Sequence, residues 1–172
     1  MNYRVWVLLL LWWMPGWALA GSCTVLIVGD SLSSGYGLAA GKSWVDLLDV
    51  RLKKAAPPQK NQQWRVINAS VSGDTTQNGL QRLQPALERH HPQGVLIALG
   101  GNDALRGTPP AVIRQNLVTM IRQAKAAGAW AIGVTWGYHP HTDLSRAGAD
   151  IIVGAPEDLR EVALDLLSRN AR

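Results

Sequence analysis

The sequence predicts an α/β domain built on a parallel sheet with helices on both faces, and three observations predict it. Short apolar, β-branched runs recur along the chain without polar alternation, as strands buried on both sides require. Between them lie segments whose apolar residues fall at helical spacing. The chain has 172 residues, 47% of them hydrophobic, which suits one core and one domain.

The elements follow in order. Thr24-Val25-Leu26-Ile27-Val28 reads as a first strand ending at Gly29. Trp44, Leu47, Leu48 and Leu52 share one stripe, so a helix spans about residues 41–55, ended by Pro57 and Pro58. Residues 64–69 form a second strand, and Leu80, Leu83 and Leu87 mark a helix over 79–88. Residues 94–99 are a third strand. Pro109 and Pro110 open a helix that runs to about 127, where Gly128 stops it. A fourth strand (129–134), a short helix (141–147), a brief fifth strand (151–153) and a closing helix (156–168) complete the chain. In such a fold, a site is expected in the loops past the strand C-termini.

The first twenty residues read as an address. Arg4 precedes an apolar run over 5–14, Pro15-Gly16 breaks it, and Ala18-Leu19-Ala20 supplies small residues before a cleavage point. The expectation is a signal peptide over 1–20, a single domain over 21–172, and a secreted or periplasmic product. The apolar run is short for an anchor across about 30 Å of hydrocarbon, so no stable membrane anchor is expected. The net charge of +5 comes from scattered basic residues, which argues for solubility and not for nucleic-acid binding. Cys23 is the single cysteine, which excludes an intramolecular disulfide framework and a cysteine-rich zinc site.

Three loops carry chemistry. Gly29-Asp30-Ser31-Leu32 follows the first strand and places a serine hydroxyl at the sheet edge, where nearby helix N–H groups favour a developing negative charge. Asn68-Ala69-Ser70-Val71-Ser72-Gly73-Asp74 follows the second, with a glycine that lets backbone N–H groups approach a ligand. Gly100-Gly101-Asn102-Asp103 follows the third and offers a side-chain amide. A nucleophile and the donors of an oxyanion hole thus meet at one edge. Asp30 reads as a hydrogen-bonded turn residue, Asp74 and Asp103 as helix-start or loop residues.

These blocks resemble the SGNH (GDSL-type) hydrolase family, and within it the secreted TesA-like esterases and thioesterases. Residues 28–38 look like the family's first block, 66–76 like the second and 99–103 like the third; the likeness covers about 24–128. It implies a three-layer, flavodoxin-like sandwich and hydrolysis of acyl esters or thioesters, lysophospholipids included. It also implies Ser31 as nucleophile, with Ser31 N–H, Gly73 N–H and the Asn102 side chain as oxyanion donors. The expected partner is a small acyl ester or thioester, acted on by a monomer without cofactor or metal.

The family also carries an aspartate three residues before a histidine near the C-terminus, and that block is missing. The histidines are His90, His91, His139 and His141. His90 and His91 end a helix and read as caps. His139 lies in a loop at the correct edge and is the first candidate for the base, His141 the second, yet position 136 is Trp136. Asp143 or Asp150 would have to supply the orienting carboxylate. Residues 124–139, 147–150 and 156–159 resemble instead the C-terminal end of phosphoglycolate-phosphatase-like haloacid dehalogenases, whose Asp-x-Asp motif occurs nowhere in the chain. The two likenesses meet near 124–129, which predicts a join there and an atypical region over 129–172. The competing expectations are an esterase or thioesterase, an acyl- or carboxylate-binding module without turnover, and, with nothing N-terminal behind it, a magnesium phosphatase.

Overall fold

A computed structural model describes residues 22–55, 63–135, 141–155, 158–159, 161–162 and 165. The expected signal peptide, His139 and most of the expected closing helix lie outside these residues. In chain order the elements are β1 (Ser22–Gly29), α1 (Ser31–Ser34), α2 (Trp44–Ala55), β2 (Gln63–Asn68), α3 (Thr76–His90), β3 (Gly94–Ala98), α4 (Gly101–Leu105), α5 (Pro110–Ala126), β4 (Trp130–Val134), α6 (His141–Ala147) and β5 (Ile151–Val153).

The five strands form one sheet in the order β2-β1-β3-β4-β5, and every neighbouring pair is parallel. The uniformly apolar strands have a direct cause: successive residues of β1 feed two cores. Val25 and Ile27 point to one face with Val45, Leu48 and Leu52 of α2. Leu26 and Val28 point to the other, against Leu83 and Leu87 of α3 and Met120 and Ala124 of α5. Leu26 and Ile27 are both fully buried, each contributing about 2 kcal/mol of apolar transfer. The α/β fold with a central parallel sheet is the one the sequence predicts.

The elements differ from expectation in two respects. The helix expected to start at residue 79 begins at Thr76, because Thr75 and Asn78 form a reciprocal capping box that satisfies its first donors. The turns α1 and α4 were not anticipated; five residues or fewer carry no readable periodicity. Close approach explains Gly79 of α3: a Cβ there would stand 2.2 Å from Leu99 Cδ1 and 3.2 Å from Met120 Cε.

The chain passes from β1 outward to β2, then crosses back over β1 to β3. The order of connection therefore reverses beside β1, and the crevice at the C-terminal ends of β1 and β3 is where an open parallel sheet accepts ligands.

Candidate active site

Each of the first three strands ends in one of the loops singled out from sequence. Asp30 follows β1 and caps α1, its side chain accepting a hydrogen bond from Leu32 N at 3.0 Å, as expected of a turn residue. Ser31 is thereby set as the first residue of that turn, half-buried at the sheet edge. Among the described residues its hydroxyl has no hydrogen-bond partner.

The loop after β2 is fastened to the loop after β1. Val71 N donates to Gly29 O at 3.0 Å, Asn68 Nδ2 donates to Ser33 O at 2.8 Å, and the Ser34 and Ser72 hydroxyls lie 2.9 Å apart. Gly73 then turns the chain with φ +82°, a left-handed conformation that disfavours any side chain. Arg106 Nη2 donates to Gly73 O at 3.0 Å and anchors the carbonyl side of that peptide. Ser31 N and Gly73 N donate to no acceptor among the described residues. Two half-buried backbone donors without partners are unusual and mark a place where an acceptor can be received.

Asn102 is brought in from the third loop. Its Nδ2 donates to Asp74 O at 3.0 Å and reaches Asp30 Oδ2 at 3.4 Å. The longer contact is close to the limit of a hydrogen bond and is the one that turns toward a stronger acceptor at small cost. The structure thus brings Ser31, Gly73 and Asn102 into one hydrogen-bonded assembly of loops.

This assembly is held by Thr76, Asn116 and Arg82, for which the sequence predicts no role, and by Asp103 and Asp74, which read from sequence only as helix-start or loop residues. The carboxylate of Asp103 is buried, 1% exposed, and accepts from Thr76 N at 2.7 Å and Thr76 Oγ1 at 2.6 Å. Asn116 Nδ2 of α5 donates to the same hydroxyl at 3.0 Å. Asp103, Thr76 and Asn116 therefore tie together the helix starts that follow the second and third loops. Asp74 pairs with Arg82, whose Nη1 also donates to Ala69 O at 2.7 Å. Large apolar side chains are exposed on or just after the turns that follow β1 and β3: Leu32, Tyr36 and Leu105 are 80%, 78% and 87% exposed.

The acid and base expectations fare differently. Asp150 does not join the site. Its carboxylate binds Lys125 Nζ at 2.6 Å and accepts from Ala131 N at 3.0 Å, at the opening of β4 and so at the opposite edge of the sheet. His91 caps α3 through its backbone, N–H to Leu87 O, also at that far edge. His141 opens α6 on the correct side, past the C-terminus of β4, and is exposed. His139 lies outside the described residues. No group of three or more potential metal ligands occurs among the described residues.

With this geometry in place, likeness to known proteins becomes informative. The GDSL-like Lipase/Acylhydrolase family pattern matches residues 27–167. The chain belongs to that family. It is 46% identical over 110 residues to Esterase TesA of Pseudomonas aeruginosa, covering 64% of this chain and 52% of that protein. It is 50% identical over 105 residues to an arylesterase of Vibrio mimicus, covering 61% and 50%. It is 44% identical over 114 residues to the thioesterase 1/protease 1/lysophospholipase L1 of Escherichia coli K12, covering 64% and 49%. The chain spans about half the length of these curated relatives. Among solved structures, that of TesA aligns with a TM-score of 0.64 at 30% identity, over 85% of this chain and 96% of that one. The SGNH-hydrolase family esterase AlinE4 gives 0.63 at 31%, over 85% and 82%.

The likeness of the tail to haloacid dehalogenases finds no support. The family match continues through it to residue 167, and β4 and β5 extend the same parallel sheet. The apolar helix-to-strand pattern over 124–134 is one that parallel α/β proteins share whatever their family.

Proposed function

We propose that this chain is a serine hydrolase of acyl esters or thioesters, lysophospholipids included, acting outside the cytoplasm as a monomer after cleavage near Ala20. The observation that carries the reading is the pair of N–H donors, Ser31 and Gly73, without acceptors among the described residues, on loops laced together beside the half-buried Ser31 hydroxyl. The names of the relatives, an esterase, an arylesterase and a thioesterase/lysophospholipase, support it.

In the proposed reaction Ser31 Oγ attacks the acyl carbonyl and its proton passes to His139, with His141 as the second candidate. The carbonyl π pair moves onto oxygen, and the alkoxide is held by Ser31 N–H, Gly73 N–H and Asn102 Nδ2. Collapse breaks the bond to the alcohol or thiol, which leaves with the proton. Water then repeats the sequence on the acyl-serine and releases the carboxylic acid. No carboxylate three residues before His139 orients the imidazole, and in serine-protease triads a wrongly set tautomer costs about 10⁴-fold in kcat.

A second reading is favoured by one observation, the engagement of Asp150 with Lys125 at the far edge. It is a hydrolase relative that binds an acyl or carboxylate ligand without turnover, its Ser31 hydroxyl not activated for attack. Two measurements separate these readings: labelling by a fluorophosphonate, and hydrolysis of 4-nitrophenyl acetate. Labelling and turnover that both vanish in Ser31→Ala support the hydrolase. Neither labelling nor turnover, in a protein that still binds a fatty acid, supports the binding module. A Ser31→Ala variant as active as the parent overturns both.

A further inference from the structure

β3 leaves β4 before it leaves β1. Its pairing with β1 runs to Gly29–Ala98, whereas its pairing with β4 ends at Leu96–Ile132. β4 meanwhile continues beside β5 to Val134–Val153. Beyond Leu96 and Ile132 the sheet therefore parts, and a cavity of about 380 Å³ is lined by the residues on both sides of the opening. Its walls are mostly apolar, with Leu99 past β3, Val134 of β4, Leu117 and Ile121 of α5, and Leu144 of α6, and Arg114 of α5 as a charged member. The same cavity reaches Asp30, Leu32 and Ser33, the residues flanking Ser31. Leu32 is 80% exposed, so it stands at the mouth.

A cavity of this size falls within the range of small-molecule sites, about 300–1,000 Å³. Apolar walls give water few partners, so an apolar occupant displaces little that is well held. One end lies beside the proposed nucleophile, which fixes where a carbonyl would sit and leaves the remainder for what the carbonyl is attached to. We propose that the opening between β3 and β4 receives the acyl chain of the substrate, a saturated chain of medium length, and that Leu117 sets how long a chain it accepts. The proposal rests on the acyl-hydrolase reading for its chemistry and on the parting of the strands for its place.

Leu117 is half-buried on α5, so a larger side chain there takes up cavity and a smaller one extends it. The test is the affinity of the purified protein for free fatty acids from butanoic to dodecanoic, by calorimetry, alongside hydrolysis of the matching 4-nitrophenyl esters. In the parent, affinity rises about fourfold per methylene until the cavity is full, then levels. Leu117→Trp moves that limit to shorter chains and Leu117→Ala moves it to longer ones, a pair of opposite shifts that general destabilisation cannot produce. Affinity independent of chain length, or a limit that neither variant moves, overturns the proposal. A limit that moves as stated in a protein without Ser31-dependent hydrolysis supports the cavity assignment and overturns the hydrolase reading.

Discussion

The two halves of the sheet are built to different standards. In the half formed by β2, β1 and β3, the strands stay in register from Ser22–Gln63 to Ile27–Asn68 and from Val25–Gly94 to Gly29–Ala98. The loops above them are joined by buried polar contacts such as those of Asp103 with Thr76. In the half formed by β4 and β5 the registers are short, Gly94–Trp130 to Leu96–Ile132 and Ile132–Ile151 to Val134–Val153. A characteristic tie there is the Lys125–Asp150 ion pair, with Lys125 45% exposed. Rigid placement is concentrated where charge would develop during reaction, while the region that opens into a cavity is held by weaker means. Preorganised donors need the first arrangement; a pocket that admits chains tolerates the second.

This contrast can be broken most severely at Asp103. Asp103→Ala leaves Thr76 N and its hydroxyl buried without their acceptor, and the expected loss is about 3 kcal/mol in urea unfolding. Any residual 4-nitrophenyl acetate hydrolysis should fall with it. A loss under about 1 kcal/mol would show that the network does not stiffen this half. Cys23 gives a second, intermediate effect. Burial in β1 raises its thiol from 9.0 to about 11. The folded thiol therefore keeps its proton where the unfolded one has lost it. That contribution is complete below pH 9, declines as pH rises through the window and is gone above about 11, amounting to about 2 kcal/mol in all. Cys23→Ala should flatten the decline in chemical unfolding between those values. The smallest effect is expected in the other half: Lys125→Ala should cost about 0.5 kcal/mol, and less at high salt. A cost as large as that at Asp103 would erase the distinction.

Much of this organisation is legible in the sequence, for identifiable reasons. β1, β3 and β4 announce themselves because a strand buried on both faces must be apolar at every position, as Leu26 and Ile27 are. The three site loops are legible because each follows such a strand and holds a serine, glycine or asparagine whose chemistry stands out in a short stretch. What stays hidden depends on distance along the chain. Asp103 meets Thr76 across 27 residues and Asn116 reaches Thr76 across 40, and no local pattern records such a meeting. Asp150 was a reasonable candidate by residue type, but its place at the opening of β4 is a property of topology, decided by the crossover between β4 and β5. The early parting of β3 from β4 has no sequence signature either, since residues 97–99 and 133–134 are as apolar as those that remain paired.

The close seating of α3 on the sheet at Gly79 has a practical consequence for anyone altering this protein. Position 79 lies three residues past the start of a helix and carries no reactive group, so a survey of variants would naturally class it as neutral ground. Adding even a methyl there would push against Leu99 Cδ1 and Met120 Cε, the free ends of two flexible side chains, so Leu99 would have to turn aside to make room. A silent-looking position would then report on how the Leu99 end of the cavity repacks, and in a mutational map it should score with the walls of that cavity.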